Sequence, residues 1–523
     1  MKTPMLPLCL AFAAGIALAD SFVSPTMAWE SIATTLILVM SCIVSNIKAD
    51  PTPFTLRLMP LTTLILPLLA TLACGIMLTL VQLHSQKIDY PQHFATYDVV
   101  IMSELRESNK TFTADAIITS GKYAGRNVRL AFDKSCLNRA NITVGDGLEL
   151  SCRLRQPQDF KNSNFSYARY LKVRNIPFVA YISNNNLHGK AVSLSSLSFL
   201  QRSRLGALRL RHKMLDTYRE LGISGESLAI AAAMTLGDKS MLTPTLQDTY
   251  SISGAAHVLA LSGTHLVIVF FLFSILFRYY SRRWYATGII LSLTWTYVVL
   301  VGMPSSVVRS ALMLTIFSFA RIAGRGKNPI NSLASAATFM MAFNPQVLFD
   351  ASFQLSVTAV AGILLATKYF SPMPRKLSIM QTRRPIITRL IPFMGLITIP
   401  IAAQIATAPL VAYYFGRLPV YFLLTNIVVL PATSIILYIA AACLFLFPIP
   451  IIGTAAAWLL QNSIYFLNIV LTFIASLPYS SVTIPGFSLL GVAIGYGIIA
   501  VVVAYLQLYS KFSVNNNKFN GNH

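Results

Sequence analysis

The chain has 523 residues, of which 55% are hydrophobic and only 11% charged. Soluble domains carry about a quarter charged residues, so this length and a mean hydropathy of +0.63 exclude a soluble globular protein and require that most of the surface be covered by lipid. Its 41 Lys and Arg against 18 Asp and Glu leave a formal charge of +23, which basic cytoplasmic loops or an anionic ligand would each explain.

Residues 1–20 combine Lys2, an apolar stretch and Ala17-Leu18-Ala19, as a secretory signal does. We read them as a retained first span, because apolar runs near 29–47 and 58–84 follow at once. A polar stretch occupies 85–253. Beyond it, apolar runs fall near 255–278, 284–302, 306–322, 330–344, 351–369, 390–415, 420–447, 451–476 and 486–509. Each is close to the ~20 residues that cross a hydrocarbon core. The expectation is a polytopic α-helical membrane protein of about twelve spans with one small extracytoplasmic β-barrel domain. The domains are then 1–84 (amino-terminal spans), 85–190 (β-domain), 191–253 (amphipathic interfacial helix and connector), 254–510 (main membrane domain) and 511–523 (tail).

Loop charge orients the spans. With the amino terminus inside, the inner loops hold Lys48 and Arg57, Arg278 to Arg283, Arg321 to Lys327, the basic run 368–389, and Lys511 and Lys518. The short outer loops hold Arg417. By the positive-inside rule both termini are cytoplasmic and 85–253 lies outside. Most of the excess charge is thereby topological.

Within the outer region, 95–104, 111–120, 126–133 and 147–155 are rich in β-formers, with strand-like alternation in "VRLAF" and "LELSCRLR". "VGDG" at 144–147 is a turn signal. An OB-type barrel fits, among other small β folds. The segment 153–174 interleaves cations and aromatics: Arg153, Arg155, Lys161, Phe165, Tyr167, Arg169, Tyr170, Lys172 and Arg174. That pattern suits single-stranded nucleic acid; a solvated loop with its aromatics packed on the barrel is the blander reading. Cys136 and Cys152 are a candidate disulfide in an oxidising compartment, or else two buried thiols. Residues 200–221 are expected to form a helix. Ala207, Leu210, Met214, Tyr218 and Leu221 would share one face, flanked by Arg202, Arg209 and Lys213 on one side and by Arg204 and Arg211 on the other. Such a helix suits the membrane surface.

After Asp248 the sole acidic residue is Asp350. Cation-coupled transporters keep carboxylates in the membrane; a path furnished with His, Arg, Gln, Asn and Ser is more compatible with an anionic polymer. In "HVLALSGTHLVIV", His257, Ser262, Gly263 and His265 interrupt a span, with the two His on roughly one helix face. No acidic or thiol partner near them has metal-binding spacing. Arg309 begins another span. It either snorkels outward or meets phosphates at a pore mouth, with Asp350 as its partner or as the cap of the next helix. Gln354, Gln404 and Asn426 are further polar points, the kind that commonly bond between membrane helices.

These residues form a pattern. "LGDKSMLTPTLQDTYSISGAAHVLALSGTHL" resembles the hallmark of the ComEC-type competence family, matching at Gly237, Asp238, His257, Ala260, Ser262, Gly263 and His265. "SSVVRSALM" resembles its Ser-x-x-Arg-Ala segment at Ser306 and Arg309. "FDASFQLS" resembles its Asp-x-Ser-Phe-Gln-Leu-Ser block at Asp350 and Gln354, and the block with Gln404, Pro409, Asn426 and Pro431 is similar too. Residues 144–182 look like the family's amino-terminal OB-like domain. Val267 and Ser310 stand where the family pattern has Gly and Ala.

The resemblance implies an inner-membrane channel that passes single-stranded DNA during natural transformation, with 254–510 as its channel domain. Its path would run past His257, Ser262, Gly263, His265, Arg309, Asp350, Gln354, Gln404 and Asn426. Many family members also carry a metallo-β-lactamase-like nuclease domain, whose His-x-His-x-Asp-His motif does not occur in this sequence. The expectation is a non-enzymatic protein without cofactor or metal, embedded in membrane lipid, that depends on a separate cytoplasmic motor and on a separate nuclease for any strand degradation. No Walker-type phosphate loop is present in the sequence. The alternative is a transporter or flippase of another anionic envelope compound.

Overall fold

A computed structural model of the chain describes residues 4–22, 35, 53–86, 88–91, 93–107, 111–134, 142–159, 166–183, 187–189, 197–277, 284–324, 328–370 and 385–519. The chain divides into two compact units. One comprises Met1–Leu242, Leu261–Phe353 and Leu437–Gln461; the other comprises Thr243–Ala260, Gln354–Ile436 and Asn462–His523.

The first unit opens with α1 (Met5–Phe22) and α2 (Pro53–Ser85), which pack together. A side-chain carbon at Gly15 would lie 2.1 Å from the Leu72 carbonyl oxygen, and one at Gly75 would lie 2.5 Å from that of Phe12. Helices in lipid gain little from apolar contact alone, so glycines that let backbones approach supply the packing.

The polar stretch forms β1 (Ala95–Ile101), β2 (Arg106–Glu107), β3 (Thr111–Ile118), β4 (Asn127–Asp133), β5 (Gly147–Cys152), helix α3 (Tyr167–Val173), β6 (Phe178–Ile182) and β7 (Leu187–Gly189). The sheet order is β6-β4-β3-β1-β5-β7, with β2 beside β3. All pairs are antiparallel except β4–β6. Alternate residues of β4 and β5 turn inward, building a core that includes Val99, Ile118, Leu130, Phe132, Leu150 and Phe178. The sequence led to an expected OB-like barrel; the described strands form a β-domain without a closed sheet. The strand path is open, and a single bridge, Arg155 with Val179, brings the segment after β5 to β6 through two 2.9 Å bonds. Alternation reports one buried face per strand; it does not report whether the last strand returns to the first.

Helix α4 (Phe199–Glu220) starts at a capping box between Ser198 and Gln201. Its buried face is Leu205, Leu208, Arg211, Leu215 and Tyr218, which shares only Tyr218 with the expected stripe, whose Leu210 is 50% exposed. Leu205 joins Val100, Met102, Ile117 and Leu197 of the β-domain. Tyr218 donates to the Ala440 carbonyl at 3.3 Å. The helix is therefore a strut between the β-domain and the helices beneath it. Both stripes satisfy a helical period, and the partners select between them.

Within 191–253 the stretch after α4 is itself helical. Helix α5 (Gly225–Ala231) runs into a π-helical turn at Ala232–Leu236, and residues 228–236 are all buried. The remaining helices are α6 (Pro244–Ser253), α7 (Ala256–Leu259), α8 (Gly263–Leu276), α9 (Trp284–Leu300), α10 (Ser305–Ile322), α11 (Pro329–Phe343), α12 (Ala351–Phe370), α13 (Pro385–Phe415), α14 (Phe422–Leu446), α15 (Pro450–Ser476) and α16 (Leu489–Phe519). A 3₁₀ turn at Pro345–Phe349 precedes α12.

Among the described residues, 6 helical segments are long and apolar enough to cross a membrane: Ile65–Ser85, Ser305–Ile322, Ile397–Phe415, Phe422–Leu446, Pro450–Ser476 and Leu489–Leu506. About twelve spans were expected. The run near 29–47 lies outside the described residues save Thr35. The run 255–278 is broken into α7 and α8. The run 330–344 is α11, only 15 residues long, with Leu333, Ala336, Ala337 and Met341 buried. Protein covers that face, while Phe339 and Phe343 stand exposed, and hydropathy does not distinguish the two apolar surroundings. In the second unit, β8 (Arg417–Pro419), which follows α13, pairs antiparallel with β9 (Ser481–Thr483), which follows α15. There Arg417 pairs with Asp248 at 2.7 Å. Large apolar side chains such as Trp458 and Leu490 stand exposed on α15 and α16, as lipid-facing residues do.

Candidate functional site

The sequence placed His257 and His265 on one face of one helix. The structure corrects this: α7 ends at Leu259, Ala260 is extended, and α8 begins at Gly263. The local cause lies in Ser262, whose extended backbone starts α8. His265 Nδ1 accepts from the Ser262 N–H at 3.2 Å and lies 2.8 Å from the Ser262 hydroxyl. A His thus does what Glu or Gln does in an ordinary capping box. With Nδ1 accepting a backbone N–H, the neutral ring carries its proton on Nε2. His265 is buried.

This break rests on α10. The Ser306 hydroxyl donates to the Leu261 carbonyl at 2.7 Å, and the Ser310 hydroxyl donates to the Ser306 carbonyl at 3.1 Å. A side-chain carbon at Gly263 would lie 2.3 Å from Ser310 Oγ, so the two helices touch where only glycine fits. One turn of α10 also carries Arg309, which is 0% exposed. Its guanidinium lies 5.6 Å from the centre of the Phe353 ring, and none of its three nitrogens has a hydrogen-bond partner among the described residues. Asp350 is not bonded to it. Asp350 instead accepts from Ser305 Oγ at 3.2 Å and from the Ser352 N–H at 3.3 Å, capping α12. A buried cation with an aromatic ring and no bonded counter-charge costs several kcal/mol, which is unusual for a purely structural position.

The second unit holds His257, Gln354, Gln404 and Asn426. His257 is exposed and its Nδ1 lies 3.2 Å from the Gly254 carbonyl oxygen. Gln354 Oε1 accepts from the Tyr414 hydroxyl at 3.0 Å. Asn426 donates to the Phe422 carbonyl of its own helix at 2.8 Å, and the half-buried Gln404 sits midway along α13.

In the β-domain, α3 organises the basic and aromatic segment. Ser166 caps it, accepting from the Arg169 N–H at 3.1 Å. Arg169 bonds Asp20 at 2.7 Å and lies over Phe349, while Lys172 reaches Asp20 at 3.7 Å. Tyr170 has Arg174 at 3.7 Å and Arg129 at 5.6 Å from its ring centre, and Tyr167 stacks beside it. Arg153 and Arg155 are exposed. Lys161 and Phe165 lie outside the described residues, as does Cys136. Cys152 is a buried free thiol, which burial pushes up to about 11.

Several residues in this region were not singled out from the sequence. The π-turn leaves carbonyls out of the helical ladder, and side chains take them: the Tyr297 hydroxyl donates to Thr235 O at 3.0 Å, and Arg211 Nη1 to Leu236 O at 3.4 Å. Arg211 also reaches Glu104 at 3.7 Å. Burial, and then the charge of Asp238, hold the Glu104 carboxyl above the usual carboxylate range against the pull of Arg211 and His212. The signal that was available is Asp238, the family's Gly-Asp position, which is 4% exposed.

Comparison with known proteins places this arrangement. A family model described as Competence protein matches residues 234–509, from the π-turn to α16. ComE operon protein 3 of Bacillus subtilis is 24% identical over 292 residues, which is 55% of this chain and 34% of that protein. Recombination protein 2 of Haemophilus influenzae is 25% identical over 288 residues, 52% of this chain and 34% of that protein. An uncharacterized protein of Aquifex aeolicus is 26% identical over 220 residues, 42% of this chain and 48% of that protein. The chain thus spans about a third to a half of the length of these relatives. No solved structure matches.

Proposed function

The chain belongs to the competence-protein family, and on that premise we propose that it is an inner-membrane conduit that passes single-stranded DNA into the cytoplasm during DNA uptake. The observation that carries the reading is Arg309, a fully buried guanidinium with no hydrogen-bond partner among the described residues, in an apolar half that holds one carboxylate, Asp350. A guanidinium fork matches phosphate oxygens. One such group, not several, binds a passing phosphate firmly enough to draw it in and weakly enough to release it. Ser262, His265 and the hydroxyls of α10 furnish neutral hydrogen-bonding groups beside it.

In this reading both termini are cytoplasmic and the β-domain is outside, as the loop charges require. The chain performs no chemistry. A cytoplasmic motor drives the strand, and a separate nuclease acts on its complement. The decisive experiment follows labelled DNA into the cytoplasm of a deletion strain complemented with wild type, with Arg309→Gln, or with His257→Ala/His265→Ala. Loss of cytoplasmic label in the deletion and in Arg309→Gln, with expression intact, is the expected result. Unchanged uptake in the deletion strain would overturn the reading.

A further inference from the structure

Helix α10 meets the start of α12 in two successive contacts. In the first, the Ser305 hydroxyl donates to Asp350 Oδ2 at 3.2 Å. The second comes one turn further along α10, where the Arg309 guanidinium lies 5.6 Å from the centre of the Phe353 ring. Phe353 is 3% exposed and follows Asp350 by about one turn. The one carboxylate of the apolar half thus stands in the contact next to its buried cation, yet none of the Arg309 nitrogens is bonded to it. Each Asp350 oxygen is taken elsewhere, Oδ2 by Ser305 and Oδ1 by the Ser352 N–H at 3.3 Å. A buried cation ordinarily pairs with a carboxylate, which takes two of its donors in a bidentate contact. A ring holds a cation differently. Its quadrupole attracts the charge and takes none of the N–H groups, so a guanidinium seated on it keeps its charge and its five donors.

We propose that Phe353 is a positioning residue: it seats the Arg309 guanidinium on its ring, keeps it out of an ion pair with Asp350, and so leaves its donors to a phosphate of the passing strand. The inference rests on the conduit reading and names the group that readies Arg309 for its ligand. An ion pair with Asp350 would compete with every phosphate that arrived. Held by Ser305 and by the cap of α12, Asp350 lends a counter-charge from one turn away without occupying the donors. Leu or Met in place of Phe353 would fill much of the same space but offer no ring, and the cation would turn to the carboxylate.

The test measures cytoplasmic uptake of labelled DNA, with the amount and melting temperature of each protein, in the deletion strain complemented with wild type, Phe353→Leu, Phe353→Tyr or Phe353→Leu/Asp350→Asn. Phe353→Leu should take up about tenfold less DNA or worse, the order of effect of a desolvated cation–ring contact, at an unchanged amount of protein. Phe353→Tyr keeps the ring and should stay close to wild type. Phe353→Leu/Asp350→Asn leaves no carboxylate to capture Arg309, while Asn still caps α12, and should recover most of the uptake. A packing defect at Phe353 would not be repaired by that second substitution. Should Phe353→Leu fail to accumulate, Phe353→Met, alone and with Asp350→Asn, carries the same expectations. Normal uptake by Phe353→Leu in a strain that needs the protein overturns the seat and leaves the conduit. An equal loss in Phe353→Leu and in the double variant does the same. Uptake that does not need the protein overturns the conduit, and the seat with it.

Discussion

Asp20 Oδ2 accepts a hydrogen bond from Arg169 Nη2 at 2.7 Å, tying the end of α1 to the helix of the β-domain. Asp20 also accepts from Gln346 Nε2 at 3.1 Å and lies 3.7 Å from the Lys172 ammonium. Two of the cations that the sequence offered to DNA are therefore spent on anchoring.

Replacing Asp20 by Ala leaves these donors without their shared acceptor. Because Arg169 is half exposed, the loss is discounted to about 1–2 kcal/mol. Thermal unfolding in detergent should show a lower midpoint. Limited proteolysis should release the β-domain faster than in wild type, and equal rates would mean that the junction is held elsewhere.

Gly263→Ala forces a carbon against Ser310 Oγ and should cost about 1–3 kcal/mol through overpacking. Ser310→Ala removes that oxygen and leaves the added carbon 3.4 Å from the Ser310 Cβ. The double variant Gly263→Ala/Ser310→Ala should recover most of the loss. A double variant no better than Gly263→Ala would place the strain elsewhere.

For Arg309 stability and function should part company. Arg309→Met fills a similar volume and removes a buried charge that has no hydrogen-bond partner among the described residues, so the melting temperature should hold or rise, by an equivalent of about 1 kcal/mol or more. Uptake should be lost. A variant that is both unstable and inactive would make Arg309 a structural residue.

Glu104 gives a pH signature. Its carboxyl is held above the usual range, so folding favours the protonated form. The contribution of this group is greatest at low pH and declines as pH rises through the folded-state value. In Glu104→Gln that contribution is constant. As pH rises above the ordinary carboxylate range the melting temperature of wild type should therefore fall relative to that of Glu104→Gln. A constant difference between the two would contradict the shift.

The strands were legible because one face of each is buried and the other is not: 127–133 and 147–152 alternate in sequence as they do in burial. The buried helix at 225–236 was overlooked because it is short and lies between charged stretches, so no window of membrane length reports it. Its π-turn has no local marker at all. Arg309, His265 and Ser262 could be singled out because polar residues are rare in apolar runs, but the roles of Asp350 and Asn426 as local caps and bonds were not visible there.

Composition, run length and motif order by themselves determined that the chain is a membrane protein with a small β-domain and a competence-type core, since these properties belong to each segment alone. Tertiary structure decided which face of α4 is buried, that the helix breaks at Ala260–Ser262, and that Arg169 and Lys172 are occupied by Asp20. The reason is physical. A side chain's preference for lipid, water or strand is encoded where it stands, whereas the partner that neutralises a charge or seats a glycine comes from residues scores or hundreds of positions away.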